Sequence, residues 1–115
     1  MLSIPSAVKI YLCKQPVDMR RSFDGLATLT QTIIGHDPLS GHIFVFRNKR
    51  GHLLKILYWD RDGLAIWYKR LEKGVFSWPD KLEDSGLLDH RRFTMMLEGV
   101  RVSSFNLKKR FYLQK

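Results

Sequence analysis

Residues 43–68, IFVFRNKRGHLLKILYWDRDGLAIWY, decide the fold. Three segments of this stretch are rich in the β-branched and aromatic residues that favour strands, namely 43–46, 53–59 and 64–68. Polar connections ending in glycine, NKRG and DRDG, separate them, as is typical of short hairpins. The stretch therefore predicts an antiparallel meander. VFSW at 75–78 would add a fourth strand before Pro79 ends the block.

The flanking sequence predicts a further strand and two helices. VKIYLC at 8–13 alternates as a strand does, and Pro16 ends it. Asp18 is a suitable N-cap for a first helix, in which apolar residues recur at helical spacing as far as Ile34. A second helix is predicted over 88–97. The fold class is thus α+β, a small antiparallel β-meander of three to five strands packed with two helices.

The length of 115 residues fits one domain, 1–115, and its 44% hydrophobic content fits a globular protein. The stretch 101–115 is basic and aromatic, and its pattern leaves open an added strand, a short helix or a flexible tail. No apolar run approaches the roughly 20 residues that cross a bilayer. We therefore expect a cytoplasmic protein without membrane contact. Cys13, the single cysteine, is expected to be a buried filler of a strand.

Charge is the strongest signal in the composition. Twenty Lys and Arg stand against eleven Asp and Glu, a formal net charge of +9. A domain this basic attracts polyanions, above all nucleic acid. The alternative is a basic surface that serves only solubility.

DMRRSFDGL at 18–26 places Arg20 and Arg21 at the start of the predicted helix, where the helix dipole disfavours cations. Asp24 is spaced to pair with either arginine. Gly25 costs about 1 kcal/mol relative to alanine inside a helix. These features indicate that the arginines bind an external anion, most simply DNA phosphate, with Asp24 orienting one of them. The alternative is a solvated arginine face, with Gly25 packed tightly on the sheet.

Two further motifs are basic. RNKRG at 47–51 crowds Arg47, Lys49 and Arg50 into a hairpin turn that could project them at phosphates or simply be soluble. WYKRLEKG at 67–74 mixes aromatic and basic side chains, which suit base stacking or a strand core with snorkelling lysines. Together with Trp59 it supplies the candidates Trp67 and Tyr68 for stacking, and Lys69, Arg70 and Lys73 for phosphate contact.

A catalytic or metal-binding interpretation finds little support. His36, His42, His52 and His90 show no tight ligand spacing, although His42 and His52 could face each other across a hairpin. No nucleophile, phosphate-binding or dinucleotide motif is present in the sequence. We expect no enzymatic activity, no cofactor and no metal.

Three segments of the sequence, in this order, resemble those of a known family: VDMRRSFDGLATL, DPLSGHIFVFRNKRG and LKILYWDRDGLAIWYKRLEKGVFSWP. The chain resembles the TnpB-type accessory proteins (second open reading frame) of the IS sixty-six insertion-sequence family over about residues 8–100. The resemblance implies a role in transposition beside a separate, larger transposase that bears the catalytic residues.

Charge and resemblance together predict a DNA-binding accessory factor. Its expected partners are DNA, at the element ends, and the transposase, with self-association left open. One alternative is a protein–protein adaptor that docks the transposase without specific DNA binding. The other is a single-strand nucleic-acid binder.

Overall fold

A computed structural model describes residues 4–98 of the chain, which form a mixed sheet with a helix on each face. Its strands are β1 (Ile10–Leu12), β2 (Ile43–Arg47), β3 (Leu53–Asp60), β4 (Gly63–Arg70) and β5 (Leu87–Leu88). Its helices are α1 (Phe23–Leu29), which continues as a π-helical turn over Thr30–Ile34, and α2 (His90–Leu97). The predicted α+β class is confirmed. The predictions made for 101–115 lie outside the described residues.

The sheet has the strand order β4-β3-β2-β1-β5. The meander expected from residues 43–68 is confirmed, because β2, β3 and β4 pair antiparallel in sequence. The first strand departs from it. β1 pairs parallel with β2, aligning Ile10 with Ile43, since the chain returns through α1 as a crossover. β5 then pairs antiparallel with β1.

The strand predicted at 75–78 is wrong. Residues 75–78 do not form a strand of the sheet. They cross the end of the β2–β3 hairpin, where the amide of Phe76 donates to the carbonyl of Gly51 at 2.8 Å. Phe76 is buried. The apolar residues that suggested a strand instead close one end of the core, since strand composition largely reports burial.

Alternate residues of the strands build two cores on opposite faces of the sheet. On the face that carries α2 lie Ile10, Leu12, Ile43, Val45, Leu54, Ile56, Phe76, Leu88, Phe93, Met96 and Leu97. On the face that carries α1 lie Tyr11, Cys13, Val17, Leu26, Phe44, Phe46 and Leu57. Cys13 is buried, as expected. Both sheet faces are therefore covered within the chain.

Both helices start later than the sequence suggested. α1 begins at Phe23, after Ser22, so Asp18 does not cap it, and Phe23 is 46% exposed. Leu87 and Leu88 pair with β1, so α2 begins at His90, and the carboxylate of Asp89 accepts from the amide of Arg92 at 2.8 Å.

In the part of the chain that the structure describes, no helix is long and apolar enough to span a membrane.

Candidate nucleic-acid interface

Three segments that are distant in sequence meet around one open groove on the α1 side of the sheet. Its volume is about 740 Å³, and its lining comprises Pro16, Val17, Asp18, Met19, Arg20, Asn48, Lys49, Arg50, Leu53 and Tyr68. A smaller hollow of about 300 Å³ adjoins it, shares Leu53 and Tyr68, and adds Arg70 and Glu72. We call the two together the basic groove. It unites residues from all three basic motifs.

Asn48 holds the turn that carries Lys49 and Arg50. Its side-chain oxygen accepts from the amides of Gly51 and Leu53, each at 3.0 Å. With that oxygen used as an acceptor, the amide nitrogen of Asn48 is the donor to Nδ1 of His52 at 3.1 Å. Lys49 and Arg50 are exposed at the tip of this braced turn. The turn therefore presents two cations from a fixed backbone.

The segment before α1 is fixed from beneath by Lys55. Lys55 lies in β3 and is buried to 8% exposure. Its ammonium donates to the carbonyls of Met19 and Arg21, each at 2.8 Å. The amide of Val17 adds a bond of 2.8 Å to the carbonyl of Arg47 at the end of β2. The backbone around Arg20 is thus tied to two strands of the sheet.

Arg20 pairs with Asp18, not with Asp24 as the sequence suggested. The guanidinium of Arg20 donates to the Asp18 carboxylate at 2.6, 3.0 and 3.1 Å, and the Arg20 amide donates to the same group at 2.9 Å. These bonds lower the pKa of Asp18 to about 2 from its ordinary value of 3.8 and raise that of Arg20. In this ion pair with Asp18, the Arg20 side chain is still 91% exposed.

Arg21 and Gly25 are a matched pair. A Cβ at Gly25 would lie 3.2 Å from Cβ and 3.3 Å from Cγ of Arg21. Gly25 therefore makes room for the stem of Arg21, and the close neighbour is a side chain of the same segment rather than the sheet. Arg21 makes no ion pair with any residue in 4–98.

Tyr68 forms the aromatic floor of the groove and is 52% exposed. It lies opposite Lys55 in the β3–β4 ladder, and the ammonium of Lys55 is 4.7 Å from the centroid of its ring. A buried cation close to an aromatic ring is held by the ring quadrupole. Tyr68 and the 18–21 segment are thus positioned by the same lysine.

Several predicted site residues lie elsewhere. Arg47 is on the α2 face, where its guanidinium carbon is 4.8 Å from the centroid of the Trp78 ring and burial lowers its pKa. The ammonium of Lys69 donates to the carbonyl of Leu97 at 3.2 Å and so caps α2. Both side chains act within the fold, since the strand alternation turns them away from the groove.

The predicted stacking trio is divided between the two faces. Trp67 pairs with Ile56 and packs on the α2-side core. Trp59 is on the same face of the sheet as Tyr68. However, Tyr68 pairs with Lys55, and Trp59 lies four residues further along β3, about 13 Å from Lys55. Lys73 is exposed in the turn after β4 and does not line the groove. Of the three aromatics only Tyr68 reaches the cations.

The histidines serve the fold. The Nδ1 atom of His42 accepts from the amide of Lys9 at 3.0 Å, and the ring of His90 bonds the carbonyl of Val8 at 2.7 Å. His42 precedes β2 and His52 precedes β3, so they lie at opposite ends of that hairpin rather than face to face. Residues 4–98 contain no group of three or more His, Cys, Asp or Glu side chains arranged to hold a metal ion.

Two residues that build the groove, Lys55 and Asn48, were not predicted as site residues from the sequence. Lys55 interrupts an otherwise apolar strand, LLKILYW, and a lone lysine at such a position signals a satisfied buried cation. Asn48 follows a strand inside a basic turn, where asparagine commonly bonds backbone amides. Either signal is readable from the sequence, but the partners of each residue are not.

Comparison with known proteins identifies the family. The model of the IS66 Orf2 like protein family matches residues 8–106. Two curated relatives from Sinorhizobium fredii, the uncharacterized proteins y4jC and y4hO, are 34% and 32% identical over 100 residues. These alignments cover 87% of this chain, and 86% and 87% of the relatives. No solved structure matches. The chain belongs to the IS66 Orf2 like proteins, a family with an accessory role in insertion-sequence transposition.

Proposed function

We propose that the chain binds DNA through the basic groove and assists a separate transposase, without catalysing a reaction itself. The observation that carries this proposal is the convergence of Arg20, Lys49 and Arg50 on one open groove floored by Tyr68. Family membership supports an accessory role in transposition. The charge of the groove supports a polyanion as the ligand.

The arrangement suits a sugar–phosphate backbone. The groove and its extension contain four cations, Arg20, Lys49, Arg50 and Arg70, against two carboxylates, Asp18 and Glu72. Both carboxylates are already bonded to arginines, Asp18 to Arg20 and Glu72 to Arg70. Lys49 and Arg50 form no ion pair with any residue of 4–98. They are therefore the residues we assign to direct phosphate contact.

The two alternatives predict different ligands. Tyr68 is exposed beside the cations, and one base of a single-stranded nucleic acid could stack on its ring. This feature favours a single strand as the ligand. An adaptor would bind the transposase by itself and bind DNA only weakly. A preference for duplex, for single strand or for neither separates the three.

The test is fluorescence anisotropy with labelled duplex and single-stranded DNA across a salt series. Each neutralised phosphate contributes about 0.9 to the slope of log affinity against log salt on duplex. We expect Lys49→Ala with Arg50→Ala to weaken duplex binding at least tenfold and to reduce that slope by about 2. The matched control is Lys81→Ala with Arg91→Ala, which removes equal charge from exposed positions outside the groove.

Equal losses in the two double variants would show a diffuse charge effect and would contradict the groove as a site. Duplex binding that is negligible at about 0.15 M salt would favour the adaptor. Preferential binding of the single strand, lost in Tyr68→Ala and kept in Tyr68→Phe, would assign the groove to unpaired nucleotides instead.

A further inference from the structure

β4 is a long strand whose outer edge has no partner strand among residues 4–98. All eight of its residues, from Gly63 to Arg70, pair with β3, and β4 is the last strand of the sheet order on that side. Every second residue of such a strand turns its N–H and C=O away from its neighbour. Within residues 4–98 no backbone hydrogen bond reaches this outer edge of β4. Long edges of this kind are templates for pairing with another strand.

The edge is self-complementary in charge. Its centre, LAIW at 64–67, consists of half-buried apolar side chains. Asp60 and Asp62 are exposed at one end, and neither forms an ion pair with any residue of 4–98. Lys69 and Arg70 lie at the other end, where the Arg70 side chain is 68% exposed. An antiparallel copy would bring Asp62 of each chain close to Lys69 and Arg70 of the other.

We propose that β4 pairs antiparallel with β4 of a second copy of this chain, with the two-fold axis at Ile66. This register sets Asp62 opposite Arg70 of the second copy and pairs the apolar residues with one another. Centring on Ala65 would instead set Trp67 opposite Gly63 and Tyr68 opposite Asp62 of the second copy, which loses the cross-strand pairing of the apolar run 64–68. The apolar run 64–68, which is centred on Ile66, thus selects one register of a symmetric, isologous interface.

The opposite edge of the sheet does not offer the same surface. β5 has only two residues, Leu87 and Leu88, and short edge strands protect against pairing. One long edge and one short edge lead to a closed dimer rather than to a growing sheet. A two-fold axis perpendicular to the sheet leaves both α1 faces, and so both basic grooves, on the same side.

The first experiment is sedimentation velocity of the full chain over a concentration series, without nucleic acid. We expect a reversible dimer. Asp62→Lys should weaken dimerisation at least tenfold by placing two cations opposite each other, and adding Arg70→Asp should restore it. Asp80→Lys, the same charge change at an exposed position away from β4, is the control. A monomer at every concentration, or equal effects of Asp62→Lys and Asp80→Lys, would overturn the proposal.

A second experiment tests the register. At the axis, Ile66 and its symmetry mate form a hydrogen-bonded pair with Cα atoms about 5.5 Å apart, which suits a disulfide. Ile66→Cys should therefore give a covalent dimer on oxidation. Leu64→Cys lies on the same face, but the two thiols would be about 13 Å apart, and no crosslink is expected.

Crosslinking of Leu64→Cys as readily as of Ile66→Cys would refute the register. Because neither experiment contains nucleic acid, their failure would leave the proposal for the basic groove standing. Loss of DNA binding would equally leave the dimer standing.

Discussion

Lys55 has most of its side chain buried in β3, and its ammonium is satisfied by two carbonyls and one aromatic ring. A buried ammonium is unfavourable unless it is hydrogen-bonded. Here the bonds come from Met19 and Arg21, which flank Arg20 in the chain. Lys55 therefore fixes the backbone from which Arg20, one of the groove arginines, projects.

Lys55→Met keeps a long buried stem but removes the ammonium. The variant therefore tests the hydrogen bonds of the ammonium separately from the burial of the stem. The carbonyls of Met19 and Arg21 would lose a charged donor, so we expect the free energy of unfolding to fall by about 1–3 kcal/mol. Urea denaturation measures it. DNA affinity should fall as well, because the 18–21 segment is no longer tied down. Lys9→Met, at an exposed lysine, is the control, and equal stability of the two variants would contradict this role.

Asp18 should remain ionised in strongly acidic solution. Its pKa of about 2 lies below the ordinary 3.8, so its ionised form stabilises the folded chain above about pH 4. That contribution is lost as the pH falls toward 2. Carboxyl NMR titration of the full chain should show a midpoint near 2, moving toward 3.8 in Arg20→Gln. Arg21→Gln should shift it less, and equal shifts in both variants would contradict the Arg20 contact.

At the scale of elements, the braced turn 48–51 decides whether the groove cations are ordered. Gly51 has φ of +86°, and a Cβ there would lie 3.3 Å from Cβ of Val75. Its amide and carbonyl bond Asn48 and Phe76. The turn thus joins the meander to the segment that closes the α2-side core.

Gly51→Ala should destabilise the chain by about 1–2 kcal/mol, the cost of a left-handed backbone at a non-glycine residue, plus any clash with Val75. Thermal or urea unfolding measures it. Gly63→Ala is the matched control, since nothing lies within 4 Å of a Cβ there and its φ is outside the left-handed range. A smaller effect at Gly51 than at Gly63 would contradict the strain argument.

The elements also show how far the sequence could predict this fold. The β2–β4 meander was predictable because its strands are contiguous and their turns carry glycine. The parallel pairing of β1 was not, since it depends on α1 packing across the sheet. Asp18 was assigned to a helix cap, but its carboxylate binds Arg20, a contact set by the turn that Lys55 holds.

The groove was predictable only in part, for a related reason. Arg20, Lys49, Arg50, Arg70 and Tyr68 were identified as basic or aromatic motifs. Arg47 and Lys69 belong to the same motifs but lie on the other face. Strand alternation separates neighbours in sequence, and the register that assigns each residue to a face follows from pairing across the sheet.

At the scale of the whole molecule, β2 and β3 contribute to both cores, so we expect the two sides to unfold together. Phe44 lies in the α1-side core and Phe93 in the α2-side core, and both are fully buried. Phe44→Ala and Phe93→Ala should each cost about 3–5 kcal/mol. Urea curves followed by far-UV circular dichroism and by tryptophan fluorescence should coincide for both variants. Two separate transitions in Phe93→Ala would show that α2 unfolds independently.

The position of β1 between β2 and β5 has a consequence for synthesis on the ribosome. Ile10 emerges early, yet one of its strand partners is Leu88, near the other end of the described chain. At roughly 5–20 residues per second, the first strand waits several seconds for its second neighbour. Contacts so far apart in sequence also slow folding after release. Until β5 emerges, the nascent chain therefore carries an apolar strand that lacks its second neighbour, and this interval is when chaperones have access to it.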